Sequence, residues 1–120
     1  MTYKLEMGED GILRLSFAGQ VGTEEMEAFR QDFLPYLEAA TDESPLLVLS
    51  NAQGDTKYSS GARKIFMQLN RDSRIGKAAT VGTGRYTRVL ARFVLKATGR
   101  DNIGFFDTQE EAVAWLKGES

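Results

Sequence analysis

Leu46-Leu47-Val48-Leu49, followed a few residues later by Lys57-Tyr58-Ser59-Ser60-Gly61-Ala62-Arg63-Lys64, decides the fold of this chain. A short aliphatic run bounded by turn-forming residues suits a strand covered on both faces, the kind found in parallel sheets. The two hydroxyls and the glycine then open an amphipathic helix whose buried stripe is Ala62, Ile65, Phe66 and Leu69. The first turn of a helix leaves backbone N–H groups unpaired and carries partial positive charge. It therefore suits a capping oxygen, a bound anion or a phosphorylated serine. This loop is the expected functional centre, and on the residues alone either Ser59 or Ser60 can be the plain helix cap.

Working outward, Tyr3, Leu5 and Met7 alternate with polar residues, Gly8 to Gly11 makes a turn, and Leu13, Leu15 and Phe17 alternate again, which predicts an antiparallel hairpin. Thr23 is the expected cap of a helix with Met26, Phe29, Phe33 and Leu37 on one face and Pro35 as an expected kink. Beyond the second helix, residues 77–81 form a short strand ending in Gly82-Thr83-Gly84. A helix burying Val89, Leu90, Phe93, Val94 and Ala97 then runs to Gly99. Residues 103–106 make the last strand, and Thr108-Gln109-Glu110-Glu111 matches a capping box for a final helix with Ala112, Val113, Trp115 and Leu116, ended by Gly118. The order ββαβαβαβα, about five strands and four helices, predicts a mixed α/β sheet with right-handed crossovers, one domain over residues 1–120.

Composition narrows the chemistry. The chain has no cysteine and no histidine. That removes disulfides, thiolate nucleophiles, Cys/His zinc sites and imidazole acid–base catalysis together. Glu24, Glu25, Glu27, Glu110 and Glu111 fall in predicted first helical turns, where they complement the helix dipole rather than form a catalytic pair. Gly82-Thr83-Gly84 lacks the third glycine of a dinucleotide fingerprint, and no Gly-Lys-Ser/Thr follows either loop. A non-enzyme with no cofactor and no metal is expected. No apolar run approaches the ~20 residues that span a bilayer, and the N-terminus does not read as a signal peptide, so a cytoplasmic protein is expected, not a membrane one.

Charge is unevenly distributed. Residues 1–55 carry 3 basic and 11 acidic side chains, residues 56–100 carry 11 and 1, and residues 101–120 carry 1 and 5. Arg85, Arg88, Arg92 and Lys96 fall within about 80° of one another on a helix, forming a basic stripe suited to an anionic partner. Arg85 and Arg88 would sit in a first turn, where cations oppose the dipole. With only Tyr86 and Phe93 interleaved, base stacking is unsupported and no nucleic-acid partner is expected.

The whole pattern resembles a STAS domain, the fold shared by bacterial anti-sigma-factor antagonists and the cytoplasmic tails of sulfate transporters. Three stretches carry the likeness. They are Ile12-Leu13-Arg14-Leu15-Ser16-Phe17-Ala18-Gly19, Tyr58-Ser59-Ser60-Gly61, and Phe105-Phe106-Asp107-Thr108-Gln109-Glu110-Glu111-Ala112-Val113-Ala114-Trp115-Leu116. The last is similar to the stage II sporulation protein AA-like subgroup. In antagonists of this family the corresponding helix begins Asp-Ser-Ser-Gly, and a partner anti-sigma kinase phosphorylates the serine before the glycine. The resemblance thus implies Ser60 as phosphoacceptor, with Ser59 second, and a non-catalytic regulatory module with an anti-sigma-factor-like or other acidic protein partner. Tyr58 stands where the family has the aspartate, and Ser50-Asn51 where an acidic residue often ends the strand. Lys57, Tyr58, Gly61, Arg63, Arg85, Arg88 and Arg92 are the residues expected to meet a partner or anion. A carrier or sensor of a small anionic or lipid-like ligand is the alternative, and a homodimer is left open.

Overall fold

The structure, a computed structural model, describes residues 3–52, 56–82, 92, 96 and 102–118. Its strands are β1 (Tyr3–Met7), β2 (Ile12–Phe17), β3 (Gln20–Val21), β4 (Leu46–Ala52), β5 (Lys57–Tyr58), β6 (Ile75–Val81) and β7 (Ile103–Phe106). The helices are α1 (Thr23–Ala39), α2 (Ser60–Asn70) and α3 (Gln109–Leu116). A five-stranded sheet runs β1-β2-β4-β6-β7, antiparallel at β1·β2 and parallel elsewhere. The aliphatic run is central as expected, with Val48 between Leu13 and Ala78.

Alternation along the strands divides the core. Leu13, Leu15, Phe17, Val48 and Ala78 face the layer of α1 and α2, while Ile12, Leu49, Ala79 and Val81 face α3. In the hairpin, Asp10 clasps Arg14 through two hydrogen bonds of 2.9 Å. That guanidinium, aided by the Ile12 N–H, holds the Asp10 carboxyl well below the usual carboxylate range. On the far face Trp115 docks α3, its ring 5.4 Å from that of Phe106 and the Lys77 ammonium bonded to its carbonyl at 3.0 Å.

Several local expectations change. Thr23 is the first residue of α1, not its cap; Gly22 holds the cap position without a side-chain hydrogen bond. Pro35 lies inside α1, which continues to Ala39. β6 starts two residues before the expected residue 77; Leu46 faces Ile75 while Leu47 faces Lys77, leaving Gly76 as the extra residue of a bulge that resets the faces. Thr108 caps α3 as expected, its Oγ1 accepting the Glu111 N–H at 3.2 Å, while its hydroxyl donates to the Glu111 carboxylate at 3.0 Å. α3 stops at a left-handed Gly118, φ 75°. Of the helix expected after Gly84, Arg92 and Lys96 are helical and exposed, and the remainder lies outside the described residues. Among the described residues no helix is long and apolar enough to cross a membrane.

Candidate functional site

Two short strands without a sequence signature shape the loop. β3 and β5 pair in parallel, Gln20 opposite Lys57 and Val21 opposite Tyr58. The Lys57 N–H donates to the Gly19 carbonyl at 2.8 Å and the Ser59 N–H to that of Val21 at 3.0 Å. Behind them Thr56, fully buried, donates its hydroxyl to the Phe17 carbonyl at 3.1 Å. The pair delivers two chain segments in step to two helix starts: Gly22 and Ser59 take the cap positions, Thr23 and Ser60 the first helical positions. The positive ends of α1 and α2 therefore lie together.

Gly61 sets how closely those starts approach. A Cβ on Gly61 would collide with the Thr23 hydroxyl and lie 3.3 Å from Thr23 Cβ. Helix contact thus requires the glycine of the Ser-Ser-Gly run, and Thr23, displaced from its expected capping role, packs in the space that the glycine leaves. The carboxylate of Glu25 folds back over Gly22, where its Oε2 would be 3.0 Å from a Cβ, and supplies negative charge at the α1 terminus.

The two serines divide their work. Ser59, at φ −67° and ψ 163°, accepts the Ala62 N–H through its side chain at 3.1 Å and is the cap. Ser60 is exposed at the first helical position. Arg63 and Lys64 follow it by three and four residues, on the same side of the helix. Ser59→Ala should lower stability by about 1 kcal/mol, while Ser60→Ala should change it by under about 0.5 kcal/mol, as measured by chemical unfolding. Equal losses would contradict this division.

The remaining expected contacts separate by burial. Lys57 is exposed and Arg63 half-buried. Tyr58, expected at the anion-binding surface, is 6% exposed, and its ring lies edge-on to Phe17 with centroids 5.7 Å apart. Strand alternation explains the difference, since β5 points Lys57 out and Tyr58 into the core. An open hollow of about 350 Å³ adjoins the loop, lined by Gln20, Gly22, Glu25, Lys57, Tyr58 and Ser59 among others. Gln20 and Glu25 escaped the sequence reading because their proximity to Ser59 depends on the β3·β5 pair. Arg85 and Arg88 lie outside the described residues; Arg92 is exposed on its helix. Among the described residues no group of three or more acidic side chains is arranged to hold a metal ion.

Comparison with known proteins agrees with this architecture. A family model described as SpoIIAA-like matches residues 12–117. An uncharacterized protein from the DUF3478 family with a SpoIIAA-like fold, from Shewanella loihica PV-4, superposes with a TM-score of 0.68 at 17% identity, over 95% of this chain and 91% of that one. No curated protein matches. At that identity the superposition speaks for the fold, whereas the family match extends from β2 through α3 and takes in both helix starts. The chain belongs to the SpoIIAA-like family.

Proposed function

We propose that this protein is a non-catalytic regulatory module that binds an acidic protein partner of the anti-sigma-factor type, and that phosphorylation of Ser60 releases that partner. One observation carries the reading: Ser59 caps α2, so Ser60 stands exposed beside two helix starts with its hydroxyl outside the capping arrangement. A kinase would transfer the γ-phosphoryl group of ATP to Ser60 Oγ, releasing ADP and the hydroxyl proton. The phosphoserine, at about −2 charge, would be held by the helix termini and by Lys57, Arg63 or Lys64. Those same cations attract an acidic partner, so the modification cancels the field that recruits it, and Glu25 adds to the repulsion. The basic stripe of Arg85, Arg88 and Arg92 belongs to this proposal as further attraction.

Titration calorimetry of a purified anti-sigma-factor kinase against the parent, Ser60→Asp and Ser60→Ala tests the switch. Ser60→Asp should weaken binding about tenfold or more, and Ser60→Ala by less than about threefold. Equal binding by all three would leave Ser60 an ordinary surface residue.

A further inference from the structure

β1 is a margin of the five-stranded sheet, with β2 as its sheet neighbour. The Gly8 N–H donates to the Ile12 carbonyl at 2.9 Å, so residues 8 and 12 form a hydrogen-bonded pair. Such pairs alternate along an antiparallel ladder. Residues 4 and 6 therefore turn their backbone groups toward β2, and Tyr3, Leu5 and Met7 turn theirs outward. An edge of this kind is a template for another strand. Beside it runs an open groove of about 630 Å³, walled by Asp32 and Tyr36 of α1 and floored by β1. At the end of the strand Met7 is 41% exposed, an apolar side chain that packing within the chain leaves in water.

The strand sequence Tyr3-Lys4-Leu5-Glu6-Met7 is complementary to itself when reversed. With an antiparallel second copy centred on Leu5, Lys4 falls opposite Glu6 of that copy and Glu6 opposite its Lys4. Tyr3 falls opposite Met7, and the two Leu5 residues meet at the axis. The backbone accommodates this register, because it pairs all three outward residues 3, 5 and 7 with one another in hydrogen-bonding positions. Lys4 and Glu6 then occupy the closer, non-hydrogen-bonded positions, where opposite charges interact best. Registers centred on Tyr3 or Met7 leave most of the strand unpaired, and those centred on Lys4 or Glu6 set Lys4 opposite Lys4 or Glu6 opposite Glu6, like charges that repel.

We infer that β1 is a homodimerisation edge, joining two copies about a two-fold axis through Leu5 into one continuous sheet. The contact is isologous and uses up the edge on both copies, so it closes as a dimer. The Tyr3 hydroxyl, donating to the Asp32 carboxylate at 2.5 Å, ties one end of the strand to α1. A lysine on a free edge can instead be a guard against pairing, and charge exchange distinguishes the two roles.

Sedimentation velocity over a concentration series is the test. The parent should dimerise, and Lys4→Glu or Glu6→Lys alone should each raise the dissociation constant about tenfold or more by setting like charges opposite each other. Mixing the two variants should restore a heterodimer, since every facing pair is then opposite in sign. Should Glu6→Lys fold poorly, because the new lysine would face Arg14 on β2, amide hydrogen exchange of the parent decides. The Leu5 N–H should be protected, increasingly so with concentration. A parent that stays monomeric, a dimer indifferent to Lys4→Glu, or fast exchange at Leu5 would overturn the inference.

Discussion

Phe17→Ala is expected to lower the unfolding free energy by about 3–5 kcal/mol, read as a fall in the urea midpoint. The ring is 2% exposed and meets Phe29, Tyr58 and Phe66 at centroid distances of 5.0, 5.7 and 5.8 Å. It thereby ties β2 to α1, β5 and α2 at once. Removing it leaves a cavity under the loop, so Tyr58 and the start of α2 should loosen with it. Hydrogen exchange at Ser59 and Ala62 should quicken more than at Val48. A loss under about 1 kcal/mol would mean that Phe17 does not organise this end of the core.

Gly61→Ala is expected to destabilise the fold by about 1–3 kcal/mol, against the gain of up to about 1 kcal/mol that alanine ordinarily brings to a helix. The sign is what decides. The new methyl group would collide with the Thr23 side chain, so the two helix starts must separate. Thr23→Ala introduced together with Gly61→Ala should recover most of the loss, a coupling between two residues far apart in sequence. If Gly61→Ala were instead stabilising, α1 and α2 would not touch where the structure places them.

The sheet was legible because its strands announce themselves locally. Leu46-Leu47-Val48-Leu49 reads as doubly covered, the alternation of Leu13, Leu15 and Phe17 reads as a strand paired in a hairpin, and the Thr108 box marks the start of α3. The candidate site was legible in part. Its serines and glycine could be placed at a helix start, but which serine caps depends on where β5 ends, one residue before Ser59. Strands as short as β3 and β5 carry no periodicity, and their pairing is imposed from a distance by Thr56 reaching Phe17 and by Gly19 and Val21 accepting from Lys57 and Ser59. For the same reason the inward turn of Tyr58 and the contact of Thr23 with Gly61 were hidden. Both are properties of the assembled pair of helix starts. The bulge at Gly76 was hidden because one extra residue switches the side chains of a strand to the other face, so residues 75–76 do not read as continuous with residues 77–81.

Ser60, with its hydroxyl outside the capping arrangement, is the regulated position we propose. Phosphopeptide mapping after incubation with ATP and an anti-sigma-factor kinase tests it most directly, using the parent, Ser59→Ala and Ser60→Ala. Phosphate is expected on Ser60 in the parent, retained in Ser59→Ala and absent from Ser60→Ala. Phosphate on Ser59, or equal labelling of all three chains at other residues, would contradict it.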